Sequence, residues 1–224
     1  MNRLLRTLSS SANPGSIICI ALVTATLLLP AVFAPSASAQ VFYAYPGAPV
    51  VSDTQPAVGP FIAIGDDLFR LSGFGRFNVS SQMDLGLELV FDLIDDDWFA
   101  GAGADLKYAI IPAGYEMPFD LSLNAGIGFT AGNDITNILA PIGGIVSRPL
   151  ELANGKKLTP YGGVYLLIEH FSIDTGRDDD RSKTDTDVEL RAGMSLELMD
   201  AADIFTAVHI GSGNKFYAGL NFKL

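Results

Sequence analysis

Cysteine is nearly absent from this chain: the one present, Cys19, lies in an apolar stretch close to the N-terminus. Ile18, just before it, is not the small residue that a lipid-modified cysteine needs. Once that stretch is removed no thiol remains, which excludes disulfide staples and cysteine–metal centres. Histidine is scarce as well, with His170 and His209 the only two, so material for acid–base catalysis is thin. Long apolar runs are missing after residue 40. A membrane-crossing helix of about 20 apolar residues is therefore excluded. Basic residues are few: 14 Lys and Arg stand against 25 Asp and Glu, a net charge of −11. Phosphate neutralisation needs a basic surface, so nucleic acid is excluded as a partner.

What is present begins with an export pattern. Arg3 and Arg6 precede an apolar run over residues 17–29, and Ala37-Ser38-Ala39 forms a small-x-small cleavage site before Gln40. Residues 1–39 read as a cleaved secretory signal. Cleavage takes away those two arginines and no acid, which moves the net charge from −11 to −13. Residues 40–57 hold Pro46, Pro49 and Pro56 and read as a flexible periplasmic leader.

Residues 58–224 carry the fold. In residues 83–94, Leu85, Leu87, Leu89, Phe91 and Leu93 alternate with Asp84, Gly86, Glu88, Val90 and Asp92. Successive strand residues point to opposite faces, so one face is apolar and the other holds three carboxylates. The pattern recurs, with turn residues between segments, and divides the chain into strands at 58–64, 68–79, 83–94, 98–111, 119–130, 138–149, 158–173, 186–198, 204–211 and 215–224. Pro141 and Gly143-Gly144 predict a bent or poorly paired 138–149 strand. An all-β fold follows: a closed antiparallel transmembrane β-barrel of ten strands, with eight as the alternative count. With the N-terminus in the periplasm, short turns are expected on that side and longer loops outside, the longest being 174–185.

The final stretch KFYAGLNFKL sets Phe216, Ala218, Leu220, Phe222 and Leu224 on one face up to the chain end. This resembles the C-terminal strand that the barrel-assembly machinery reads, although most such strands end in Phe or Trp. Residues 58–224 resemble the small bacterial outer-membrane β-barrels of the OmpA and OmpW type. That resemblance implies a cell outer-membrane location after export. It implies outer-membrane lipid and lipopolysaccharide as surroundings, and the assembly machinery as a partner during biogenesis. Trp98, Phe129, Phe171 and Phe216 fall near outer strand ends; Phe77, Tyr108, Phe119, Phe205 and Phe222 fall near periplasmic ends. Such aromatics are expected as two interfacial girdles.

The opposite face is the candidate functional surface. Alternation points Arg70, Arg76, Asp84, Glu88, Asp92, Asp105, Lys107, Asp120, Glu189, Arg191 and Glu197 into the lumen, along with Glu169, Asp187, Lys215 and Lys223. Cross-strand ion pairs are available between the second and third strands. Two readings stay open: a satisfied polar plug, or a narrow acid-lined path for small solutes that prefers cations. Gly101, Gly103, Gly126, Gly128, Gly193 and Gly219 leave room for the second. No cofactor or metal is expected. The Asp178-Asp179-Asp180 run lacks the spacing of an EF-hand and reads as a solvated loop. His170 and Ser172 share a face but no G-x-S-x-G surrounds them, so no catalytic residues are assigned. The expected function is a structural outer-membrane barrel or a porin-like channel. The alternatives are a membrane-lipid-modifying enzyme, or a soluble exported barrel with its greasy faces turned inward around an apolar ligand.

Overall fold

The computed structural model describes residues 55–65, 68–94, 96–111, 118–132, 135–173, 181–211 and 213–224. The signal, all but the last residues of the leader, and residues 174–180 of the polar loop lie outside the described residues.

The described chain is all β. Its strands are β1 Ala57–Gly65, β2 Leu68–Ser80, β3 Met83–Ile94, β4 Asp97–Ile111, β5 Asp120–Gly132, β6 Ile135–Ser147, β7 Leu150–Glu151, β8 Lys157–Ile173, β9 Arg181–Met199, β10 Ala202–Ile210 and β11 Lys215–Lys223. Neighbours pair antiparallel throughout; β6 passes over the two-residue β7 to pair with β8, and β1 pairs with β11. Ten strands thus close into a barrel, and β7 is a side ribbon on β8 alone. Closure leaves no lateral edge within the wall, which is what a strand-built membrane protein requires.

The stagger follows from the register. From Phe61, cross-strand partners lead through Ser72, Val90, Gly101, Thr130, Asn137 and Phe171 to Lys183. In the other direction they lead through Gly219 and Phe205 to Ser195. Lys183 and Ser195 lie twelve residues apart on β9, so one circuit shifts the register by twelve. With strands about 4.7 Å apart and a rise of about 3.3 Å per residue, ten strands then tilt by about 40° around a backbone radius of ~10 Å. Large side chains from opposite walls of such a barrel meet.

The two faces sort cleanly. Leu71, Leu87, Phe91, Leu123, Ile127, Ile142 and Leu190 are exposed on the outer wall, and Leu89 keeps 63 % of its surface open. Arg70, Asp84, Asp92 and Glu189 are fully buried inside. Trp98, Phe129, Phe77, Tyr108 and Phe222 are exposed on the wall. Phe205 is not among them: at 1 % exposure it faces the interior, in phase with the buried Ala207 and His209, while the burial of Val208 blurs the alternation in β10.

Several boundaries differ from expectation. β6 is one continuous strand paired on both sides. Pro141 lacks an N–H, and the β5–β6 ladder skips only the positions between Ala125↔Ile142 and Gly128↔Leu139. Pro60 does the same to the β1–β11 ladder, which skips from Val58↔Phe222 to Phe61↔Gly219. Residues 181–185 are strand, not loop, since β9 starts at Arg181. The expected contrast in loop length is not there: β1–β2, β3–β4 and β5–β6 join through two residues at the far end, while β4–β5 spans residues 112–119 at the end that holds the termini. The far rim is instead raised on one side. β10 ends at Ile210 opposite Leu190, whereas β9 continues to Arg181 with residues 182–188 exposed.

The barrel interior as candidate functional site

Register places the charges. Arg70 on β2 faces Asp92 on β3, and Nε and Nη2 donate to the two carboxylate oxygens at 2.7 Å each. Three periods of the alternation further on, Arg76 reaches past β3. Its Nη2 donates to Asp105 on β4 at 2.9 and 2.7 Å, and its Nη1 donates to Asp84 on β3. Lys107 lies opposite Asp84, 3.7 Å from it. Asn124 on β5 donates to Asp105 at 3.3 Å, and the Ser72 hydroxyl donates to Glu88 at 3.4 Å. These bonds gather seven of the expected lumen residues on the β2–β5 wall in three sets: Arg70 with Asp92, Glu88 with Ser72, and Arg76 with Asp84, Asp105, Lys107 and Asn124.

A second group lines the β9–β11 wall. Arg191 donates to Glu189 at 2.6 Å, and its guanidinium lies 3.7 Å over the Tyr165 ring. His209 Nδ1 stands 3.3 Å from the Glu189 carboxylate, and the imidazole stacks on Tyr217 with centroids 4.1 Å apart. Lys215 is buried beside them. Both groups follow the rule that buried charge is paired.

Three expected residues stand apart. Asp120 is buried at the terminal end opposite Ser147. Glu197 is half-buried and accepts from the Lys157 N–H at 3.2 Å, also at that end. Asp187 is exposed on the raised part of β9. The expected lumen set held nine acids to six bases. The buried charged side chains are Asp84, Glu88, Asp92, Asp105, Asp120 and Glu189 against Arg70, Arg76, Lys107, Arg191 and Lys215. Among the described residues the lumen is thus near balance, with His209 in addition.

Charge-based reading missed the apolar half of the filling. Phe61, Phe74, Phe205 and Tyr217 form one aromatic cluster, with Phe74 of β2 and Phe205 of β10 at 6.1 Å and nearly edge-on. Ile145 and Tyr161 join it from β6 and β8. Val90, Leu139, Tyr165 and Leu167 form a second cluster that links β3 to β6 and β8. Gly193 and Gly219 do not leave room; they seat rings. A Cβ on Gly193 would come within 2.5 Å of the Tyr161 ring, and one on Gly219 within 2.6 Å of Phe205. The signal that could have found these residues is the same alternation, since Phe74 shares its phase with Arg70 and Arg76.

The histidines are far from a hydrolase arrangement. His170 is exposed, with Nδ1 2.9 Å from the Thr184 hydroxyl, and Ser172 lies opposite Ser182. His209 is sealed inside with Glu189 and Tyr217. Charge inside and hydrocarbon outside also excludes the soluble arrangement with greasy faces inward.

The fold and this sorting of faces define the chain as a closed, ten-stranded antiparallel transmembrane β-barrel with a charged interior. No family model matches it, and no curated protein matches it. Solved structures similar in fold include the KdgM porin, at 9 % identity over 74 % of this chain and 98 % of that one, with a TM-score of 0.40. The N-terminal β-barrel domain of Pseudomonas aeruginosa OprF is 13 % identical over 77 % and 98 %, with a TM-score of 0.37. The NanC porin is 9 % identical over 75 % and 100 %, with a TM-score of 0.38. At these identities the likeness is one of fold alone.

Proposed function

We propose that the protein is an integral barrel of the bacterial outer membrane, shut at rest, with a structural role in the membrane. One observation carries this reading: a single apolar cluster crosses the interior, from Phe61, Phe74 and Phe205 on β1, β2 and β10 to Ile145 and Tyr161 on β6 and β8. The apolar outer wall and the paired interior charges support the membrane placement. In this reading residues 1–39 direct export, and residues 215–224 are offered to the assembly machinery. Lipid and lipopolysaccharide cover the wall. Both termini face the periplasm, and the raised β8–β9 ribbon faces outward.

A second, porin-like reading is favoured by the Arg76 network. One guanidinium serves Asp84 and Asp105 while Lys107 stands by Asp84, so partners can exchange without leaving a buried charge alone. Such an exchange would open a narrow path for small solutes.

The test is twofold. Expressed with its signal, the protein should fractionate with outer membranes and run as a heat-shifted band. Reconstituted in planar bilayers, it should pass no steady current at moderate voltage. Stable open-channel steps in the unmodified protein would replace the structural reading with the porin-like one.

A further inference from the structure

The raised part of β9 leaves one edge of the sheet open. On one side β8 pairs with it as far as Arg181. On the other side β10 stops at Ile210, opposite Leu190. Gly211 continues alongside for one step, since a Cβ on it would sit 2.4 Å from the Val188 carbonyl oxygen. Beyond that, among the described residues, no strand pairs with residues 181–187 on the β10 side. Residues 182–187 are all exposed. An open edge presents backbone N–H and C=O groups to any strand that can align with it.

The sequence of that edge is complementary to itself. Pairing with a second copy about a two-fold axis is antiparallel and keeps each side chain on its own face. Centred on Thr184, it sets Lys183 opposite Asp185 twice over, Ser182 opposite Thr186 twice over, and Thr184 opposite its own copy. Centred on Lys183, two ammonium groups face each other; centred on Asp185, two carboxylates do. Centred on Thr186, Asp185 faces Asp187 twice. Opposite charges across a strand pair favour it and like charges disfavour it, so one register wins. Thr184 is also the midpoint of the open span 181–187. Geometry and charge select the same register independently. Within one chain Lys183 bonds Asp185 at 2.7 Å on the surface. An exposed bond of that kind contributes little, so it exchanges readily for a pair between copies.

We propose that the open edge of β9 is a homotypic contact surface, through which two copies of this chain join rim to rim in a sheet of order β8–β9–β9–β8. The second copy sits in a membrane that faces the first. Barrels that share one membrane and one orientation all run β9 the same way. A strand tilt of about 40° does not let rotation about the membrane normal turn them antiparallel. Rim to rim, they are antiparallel. Seven residues at about 3.3 Å each give an overlap of ~23 Å. A contact this short is weak alone, and many copies on two apposed surfaces add up through avidity. The inference rests on the membrane placement, goes beyond the structural role, and holds whether or not the lumen conducts.

The experiment reconstitutes the full barrel into phosphatidylcholine vesicles and follows their clustering by light scattering. Insertion is checked first by the heat-shifted band, so a barrel that fails to enter the membrane is told apart from one that fails to pair. Vesicles carrying the parent should cluster, and bare vesicles should not. The decisive variant exchanges the charges, Lys183→Asp with Asp185→Lys, and leaves the net charge unchanged. It is complementary to itself in the same register but sets like charges against the parent. Vesicles of two colours, one carrying the parent and one the exchanged variant, should therefore sort into clusters of a single colour. Lys183→Asp alone should cut clustering by about tenfold or more, and it decides the matter should the exchanged variant not insert. Parent vesicles that cluster no more than bare ones overturn the proposal. Mixed-colour clusters as frequent as single-colour ones overturn it too, as does undiminished clustering of Lys183→Asp vesicles.

Discussion

Arg76→Met is the substitution that most directly probes how the interior is held. Arg76 is 3 % exposed and bonds two carboxylates, Asp84 and Asp105, that are 0 % and 3 % exposed. Methionine keeps much of the side-chain volume, so the loss is electrostatic. Among Arg76, Lys107, Asp84 and Asp105 the charges balance; without Arg76 one negative charge is in excess. Removing one partner of a buried pair costs about 3–5 kcal/mol. Asp84 keeps Lys107 at 3.7 Å and Asp105 keeps Asn124 at 3.3 Å, which places the cost near the lower end, ~3 kcal/mol. With a urea slope of about 2 kcal/mol per M, the unfolding midpoint in lipid vesicles should fall by ~1.5 M. Adding Asp105→Asn restores the balance, because Asp84 and Lys107 then remain as a pair. The double variant should recover about half of the loss. A single variant within ~1 kcal/mol of the parent, or a double variant no more stable than the single, would refute the view that the network is a tightly coupled buried one.

Leu89→Arg, on the outer wall at a position 63 % exposed, should cost about 2–4 kcal/mol in vesicles, as a charge near mid-bilayer does; a neutral result in the same urea assay would move this wall out of the membrane. Gly59→Ala should weaken the closing β1–β11 seam, because its Cβ would sit 1.8 Å from the Leu220 carbonyl oxygen. The expected cost is about 1–3 kcal/mol, read as a lower heat-shift temperature; an unchanged temperature would show that the seam can yield. Phe74→Ala removes the ring that meets Phe205 and should cost about 3–5 kcal/mol. In bilayers the same variant should pass current where the parent does not, and silence from a folded Phe74→Ala barrel would put the seal elsewhere.

The wall was legible in the sequence because a strand buried on one face and lipid-exposed on the other must alternate. Residues 83–94 show this, and the strand occupies the expected span. Which charges share a face could be read as well. Which charges touch could not, beyond adjacent hairpins: Arg76 bonds Asp105 two strands away, and that depends on register and tilt. Phe74 meets Phe205 only because the barrel closes and staggers by twelve residues. The start of β9 was missed for a different reason. Residues 182–188 have no buried face, so Lys183, Asp185 and Asp187 give the composition of a loop while hydrogen bonding as a strand. Pro141 with Gly143-Gly144 read as a bent or poorly paired strand, yet a proline removes only one donor, and β6 keeps its partners on both sides of it.

The acidity of the chain bears on its ends more than on its interior. Buried acids and bases nearly cancel in the lumen, so the net charge of −11 has to reside largely in rims, turns and terminal residues. Asp96, Asp97, Glu169, Asp185 and Asp187 lie at the far end; Glu151, Glu197, Asp200 and Asp203 lie near the terminal end. Fields from such exposed groups are screened within about 8–10 Å at ordinary ionic strength. They can gather cations at a mouth but reach weakly into a lumen whose charges are already paired. A cation preference inferred from composition alone would therefore be assigned to the wrong place. Selectivity, if the barrel conducts, follows from how the Arg76 and Glu189 networks rearrange. The surplus acid acts at the rim, where Glu169 and Asp185 face each other across β8 and β9.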